Sequence, residues 1–395
     1  MKFGFVGTCM EYTKLKNINE YKSESINPMK FPDTVFEMYS VPIYETGHPE
    51  YLRGSDIGSN KVLVKKNDVL LCKINPRINR VWVVGDESEH QSIASSEWIV
   101  VRSTTYNPEF LAWYFRSPRF KKLMTSEVTG IGGSLTRAQP RAVAEYPVPV
   151  IPRKVQDDIT LILNKVNSVI LLRKKELQKL DYLIKARFVE MFGDPFGNPK
   201  GWKRVTFKEA GERLSDGPFG SNLKSEHYTD VGVRVIRLGN IGVGRFIDDD
   251  KSFISVEHYE RLKKYTCKAG EIVIGTLGDP NLRACIVPEE VGFAINKADC
   301  VHFIPKGEIL NNTFVCQYIN CPETLFLAEG MIHGQTRSRV SSGQIAQMPI
   351  FVPPMRLQNE YAEFVHQVDK SKVAVKKALD EASLLFDSLM QQYFG

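Results

Sequence analysis

The residues best placed to do chemistry in this 395-residue sequence are arginines set among small polar side chains. They occur in two loops, Gly132-Gly133-Ser134-Leu135-Thr136-Arg137 and Gly334-Gln335-Thr336-Arg337-Ser338-Arg339. A guanidinium reads guanine edges or phosphates, hydroxyls and amides adapt to either, and glycine lets the backbone come close. Double-stranded DNA is the ligand such loops suit. A second basic stretch holds Lys61, Lys65, Lys66, Lys73, Arg77 and Arg80 against the single acid Asp68. Its counterpart later in the chain, Arg261, Lys263, Lys264, Lys268 and Arg283, is diluted by Glu271 and Asp279. Taken singly, each run is equally what a solvated charged face looks like.

Catalytic patterns are missing. No G-x-x-x-x-G-K-[ST] loop cradles a phosphate. Gly239-Asn240-Ile241-Gly242-Val243-Gly244 follows a short strand with no helix behind it, so a hairpin turn is expected there. Asp194-Pro195-Phe196 lacks the second proline of an amino-methyltransferase loop and reads as a turn. The histidines (His48, His90, His227, His258, His302, His333, His366) show no metal-ligand spacing, and Asp33 and Glu37 are isolated. The expectation is a chain that binds, with no catalytic residue, no metal and no cofactor of its own.

The composition, 43% hydrophobic and 25% charged, excludes a wholly disordered protein. No apolar run approaches the ~18–20 residues of a membrane span, and Lys2-Phe3-Gly4-Phe5-Val6 is too short for a signal peptide. Seven scattered cysteines (Cys9, Cys72, Cys267, Cys285, Cys300, Cys316, Cys321) form no C-x-x-C pair, which points to a reducing, cytoplasmic setting. A net charge of +6 leans mildly toward a polyanionic partner.

An internal repeat organises the elements that must position these loops. Asn67-Asp68-Val69-Leu70-Leu71 falls on Gly270-Glu271-Ile272-Val273-Ile274, and Arg80 then falls on Arg283. Phe110 matches Phe314 and Pro118 matches Pro322. At a shift of 202, Arg137 meets Arg339, Pro147 and Pro152 meet Pro349 and Pro354, and Gln156 meets Gln358. Lys174-Lys175 then meet Lys376-Lys377, and Phe192-Gly193 meet Phe394-Gly395. Each copy opens with about 150 residues of short β-type runs bounded by turns: Lys61–Val64, Val81–Val84 and Trp98–Val101 in one, Val233–Arg237 and Glu271–Ile274 in the other. Helices are predicted over 108–115 and 312–319.

Each copy closes with a long helix, predicted over about 155–191 and 357–393. Val155, Ile159, Ile162, Val166, Val169, Leu177, Leu180, Ile184 and Met191 recur at spacings of three and four. In the second helix Leu357, Tyr361, Phe364, Val368, Val375, Leu379, Ala382, Phe386 and Leu389 do the same. This is an a/d seam over about five heptads, on helices roughly 55 Å long. The other copy's helix is the available partner for it, and the charges complement: seven Lys/Arg against five Asp/Glu in the first, four against six in the second. Two helices packed separately on their own domains are the alternative.

The whole chain resembles the specificity subunit of Type I restriction–modification enzymes. Asp216-Gly217-Pro218-Phe219-Gly220-Ser221-Asn222-Leu223-Lys224, with Tyr228, Gly232-Val233-Arg234-Val235-Ile236-Arg237 and Asn240-Ile241, is similar to the opening of a target recognition domain in that family. Glu50-Tyr51, Gly54-Ser55-Asp56-Ile57-Gly58-Ser59-Asn60-Lys61 and Lys73-Ile74-Asn75-Pro76-Arg77 resemble a different subtype of the same domain. Pro147-Val148-Pro149-Val150-Ile151-Pro152 and Pro349-Ile350-Phe351-Val352-Pro353-Pro354, each soon followed by glutamine, resemble the approach to its conserved helices.

The resemblance implies an α+β chain with a pseudo-two-fold repeat: recognition domains at 1–152 and 194–354, and spacer helices at 153–193 and 355–395 forming an antiparallel coiled coil. Its seam would use Val155, Ile159, Ile162, Val166, Leu177, Leu180, Ile184, Leu357, Tyr361, Phe364, Val368, Leu379, Phe386 and Leu389. Each domain would read half of a bipartite DNA target, through candidates Lys61, Lys73, Arg77, Arg80, Ser134, Thr136 and Arg137 in the first. The second would use Ser221, Lys224, Arg237, Arg283, Thr336, Arg337 and Arg339. Two methyltransferase subunits would dock on the helices and carry the restriction motor-nuclease subunits. S-adenosylmethionine, ATP and Mg2+ are then expected on those partners, with no membrane involved. A stand-alone DNA-binding nuclease and a coiled-coil scaffold for proteins are the competing readings.

Overall fold

The computed structural model describes residues 11–86, 88–126, 128–129, 136–329 and 339–395. The chain divides into two compact units, Met1–Arg173 with Ala378–Gly395, and Lys174–Lys377. Each long helix therefore contributes a segment to both units.

In the first unit, Val69–Cys72 lies between Val81–Val83 and Trp98–Val101 in a three-stranded antiparallel sheet. Every residue of this central strand is buried, because strand alternation sends its side chains into two cores. Val69 and Leu71 join Phe110, Leu111, Tyr114 and Phe120 on one face, while Leu70 and Cys72 join Tyr39, Val84 and Trp98 on the other. A five-stranded sheet runs in the order Ser25–Ile26, Lys61–Leu63, Gln91–Ala94, Val35–Tyr39, Glu50–Arg53, with one parallel pair, Val35–Tyr39 beside Gln91–Ala94. Helix Pro108–Arg116 starts where Asn107 accepts from the Glu109 and Phe110 amides, with proline at the first turn, where its missing N–H costs nothing.

The second unit repeats this plan. Ile272–Gly275 sits between Arg283–Ile286 and Cys300–Pro305, with Gly211–Ser215 added at the edge. Ile272 and Ile274 face one core and Val273 the other. Its five-stranded sheet contains the equivalent parallel pair, Val233–Ile236 beside Phe293–Asn296. Asn311 caps helix Asn312–Ile319 as Asn107 caps its counterpart.

The long helices span Arg153–Phe192 and Met355–Phe394. In the first unit Ile159 and Leu163 share a core with Met390 and Phe394, and Phe394 meets Phe110 with ring centroids 5.5 Å apart. In the second, Ile184, Phe188 and Phe192 pack with Tyr361, whose hydroxyl donates to the Ile184 carbonyl, and Lys372 pairs with Asp181 at 2.7 Å. Contacts thus move up one segment as they move down the other, so within this unit the segments run antiparallel. The expected seam residues are buried or half-buried throughout, with the exception of Val169, which is 44% exposed. Its neighbour Ile170 is buried instead, and Leu163, Phe188, Phe192, Met390 and Phe394 join the buried face unpredicted. Residues three and four after Val166 flank it on the helix surface, so Ile170 can take the buried place in the stripe instead of Val169.

Candidate nucleic-acid interface

Two loop systems of the first unit meet at the end of its central strand. The Asn75 amide donates to the Thr136 carbonyl at 2.8 Å, and the Ala138 amide to the Lys73 carbonyl at 2.9 Å. Lys73, Arg77, Thr136 and Arg137, distant in sequence, are thereby gathered on one edge. Asn75 and Asn79 adopt left-handed backbone (φ 48° and 56°), a conformation asparagine tolerates better than most residues. They bracket the turn Pro76–Ile78, which leaves Arg77 and Ile78 exposed. Arg137 is held side-on: its Nε and Nη2 donate to the Glu97 carboxylate at 3.3 and 2.9 Å. The Lys73 amide fixes the Glu97 carbonyl at 3.0 Å.

The same scaffold stands in the second unit. The Thr276 amide donates to the Asp299 carbonyl at 3.1 Å, the Val340 amide to the Thr276 carbonyl at 3.1 Å, and Arg339 Nη2 pairs with Asp299 at 2.8 Å. The segment Asp216–Lys224 closes onto it. A Cβ on Gly217 would lie 2.3 Å from the Asn296 carbonyl oxygen, so only glycine allows the motif to press against the turn carrying Asp299. Asp216 hydrogen-bonds Ser342, and the Arg339 guanidinium sits 5.8 Å from the ring centroid of half-exposed Phe219. Ser221 and Lys224 are exposed on the same segment. Beside them, Arg237 and Lys297 both lie over the Tyr228 ring, at 6.0 and 5.7 Å, and Arg237 also pairs with Asp250 at 2.8 Å.

Three of the expected residues are drawn into the fold. Lys61 is only 8% exposed; its ammonium donates to Ser59 Oγ and to the Ser59 carbonyl, and burial pushes its pKa down. Arg283 donates to the carbonyls of Ile241, Leu277, Pro280 and Leu238, so four of its five N–H groups brace surrounding loops. Arg80 is largely buried, 3.9 Å from Glu45. In each case a charged group in a strand or at its end was drawn into the fold, which local charge density does not reveal. Ser134, Thr336 and Arg337 lie outside the described residues. Glu97, Asp299 and Lys297 went unpredicted, although the 202-residue shift lays Glu97 on Asp299; Tyr228 was part of the recognised motif without an assigned contact. Among the described residues no His/Cys/Asp/Glu group could hold a metal ion, and no helix is long and apolar enough to cross a membrane.

The loops are seated by a second repeated device. Gln156 and Gln358, both buried, accept from the Asn107 and Asn311 amides at 2.8 and 2.9 Å and donate to the Ile151 and Pro353 carbonyls at 2.7 and 2.8 Å. Each glutamine ties the start of a long helix to the start of the short helix packed on the central sheet. Tyr114 and Tyr318 repeat the theme, donating to the Pro147 and Pro349 carbonyls.

A chain built twice from one α+β plan, with exposed basic residues at matching edges of the two copies, defines the class: an internally duplicated α+β protein. Comparison with known proteins narrows it. Over 354 residues the chain is 19% identical to the MjaVIII specificity subunit of a Type I restriction enzyme from Methanocaldococcus jannaschii, covering 83% of this chain and 81% of that one. The fold is shared with the S subunit of the Type I restriction–modification system of M. genitalium (TM-score 0.59, 13% identity, 99% and 98% of the two chains). It is shared equally with a chain from a structural study of assembly and conformational transition in the type I R-M system (TM-score 0.59, 18% identity, 97% of each). No protein-family model matches. The similarity is thus to Type I specificity subunits, as the sequence motifs suggested.

Proposed function

We propose that this chain is the DNA-reading specificity subunit of a Type I restriction–modification complex. The observation that carries the reading is the duplicated arginine scaffold: Arg137 and Arg339 stand at equivalent edges of two units that share a three-stranded antiparallel core and one parallel strand pair. Repeated readers suit a bipartite target, each unit taking one half-site. The subunit binds and does not cut. Methylation and ATP-driven restriction belong to partner chains, which carry S-adenosylmethionine, ATP and Mg2+. The recognition domains are 1–152 and 194–354, and the helices 153–193 and 355–395 form an antiparallel coiled coil that sets the gap between half-sites.

The same helices offer the docking surface for two methyltransferase subunits. Leu161, Leu172 and Leu183 recur at eleven-residue intervals, three helical turns, and all are exposed. Val373 and Leu384, 71% exposed, repeat that interval on the second helix and correspond to Leu171 and Tyr182 at the 202-residue shift. Large apolar side chains left exposed along both helices suit partner chains that pack on them. Reduced, buried thiols at the six described cysteines fit a cytoplasmic setting.

The experiment is salt-dependent binding of the full-length chain to a randomised duplex pool, with the retained DNA sequenced. A bipartite consensus is expected, and Arg137→Ala and Arg339→Ala should each weaken it. Wild-type binding without sequence preference would refute the function; cleavage by the pure chain with a divalent metal would establish the nuclease alternative.

A further inference from the structure

On the DNA-reading function proposed above, we infer that Glu97 and Asp299 are positioning residues, each holding the arginine of its unit in the orientation that reads a base. Three interactions recur as a set at matching positions. A backbone amide (Lys73, Thr276) grips the acid's carbonyl, that residue's own carbonyl accepts from the residue after the arginine (Ala138, Val340), and the carboxylate meets the guanidinium. Acid and arginine are therefore fixed to each other through their backbones as well as their side chains. The acid itself and the residue gripping it differ (Glu97 against Asp299, Lys73 against Thr276), so what the two units share is the holding arrangement.

Stability does not account for such a pair. Arg137 and Arg339 keep 51% and 38% of their side-chain surface in solvent, and ion pairs at that exposure contribute little. Orientation does account for it. A free arginine loses considerable rotamer freedom when it docks, and a carboxylate that fixes it beforehand removes that loss from binding. In the first unit the geometry is explicit. Glu97 takes the Nε and Nη2 side of the guanidinium, leaving Nη1 and the second Nη2 hydrogen as an end-on fork. That fork matches the O6 and N7 acceptors of guanine. The carboxylate also repels phosphate, which disfavours contacts that carry no sequence information.

The test uses full-length wild-type, Glu97→Gln and Asp299→Asn chains on the randomised duplex pool. Glu97→Gln should lose about tenfold preference at one or two base pairs of one half-site, and Asp299→Asn the same in the other half. That is the scale of one bidentate base contact. The untouched half-site reports in each variant that the chain is folded. Glu97→Asp, which keeps the charge, should restore part of the preference, and affinity for unrelated duplex should rise in the two amide variants. If wild type shows a bipartite consensus and both amide variants reproduce it at full strength, or weaken both halves alike, the positioning role is refuted and the DNA-reading function stands. If wild type shows no consensus, the function falls and this inference with it.

Discussion

Replacing Gln358 with leucine should destabilise the second unit by about 2–4 kcal/mol. The side chain has no solvent exposure and makes three hydrogen bonds: it accepts from the Asn311 amide and donates to the Pro353 and Ile309 carbonyls. Leucine fills similar space and makes none of them. The Asn311 N–H, buried without a partner, costs about 1–3 kcal/mol. The two carbonyls add less each, because an oxygen with two lone pairs tolerates loss better than a lone donor. For a unit of this size about 1 kcal/mol moves the melting temperature by about 2–4 °C, so a drop of about 5–15 °C is expected by calorimetry. Gln156→Leu removes two such bonds in the first unit and should cost less. Gln367→Leu is the control: its exposed amide bonds only to Glu363 one turn away, and it should change stability by no more than ~0.5 kcal/mol. Amide exchange of residues 309–315 should accelerate in Gln358→Leu alone. Melting of Gln358→Leu within about 2 °C of wild type, or no lower than Gln367→Leu, would show that the glutamine is not the clamp.

Adding four residues to one long helix should change the preferred gap between half-sites in the pool experiment; an unchanged gap would refute the spacer role. Leu172→Glu with Leu384→Glu should leave melting and DNA preference intact while abolishing co-purification of a methyltransferase subunit, because neither side chain belongs to a core. His302 is fully buried, and burial holds its imidazole below the ordinary value despite Glu271 at 2.8 Å. The folded chain therefore resists a proton that the unfolded chain accepts. The stability contribution is complete above an ordinary pKa of about 6.5 and falls away as pH drops below it. His302→Gln should flatten the decline in melting temperature between about pH 7.5 and 5.5; an identical slope would refute the assignment.

The long helices were legible because periodicity over forty residues averages out local accidents, and their ends lie within two residues of those expected. The repeat was legible for the same reason. Which charged side chains stay exposed was not. Arg80 and Arg283 occupy the same place in the repeat, yet one is packed near Glu45 and the other is satisfied by four carbonyls. Lys61 ends buried because its strand lies inside a five-stranded sheet, a pairing that joins residues 61–63 to residues 91–94. Charge in a sequence reports composition, whereas availability depends on which strands become neighbours. The acids that hold the arginines were visible in principle, since the shift that pairs the arginines also pairs Glu97 with Asp299.

The core of the first unit has a consequence for how the protein is made. Met390 and Phe394 are buried beside Phe110, Tyr114 and Leu163, so that core is incomplete until residues 378–395 have been synthesised. The second unit is one continuous segment, 174–377, and contains all of its own core. On the ribosome the usual order, in which the earlier domain folds first, is then reversed. The first-made unit waits with Phe110 and Tyr114 uncovered while the second closes, and a stalled or truncated chain would present that apolar surface to chaperones and proteases.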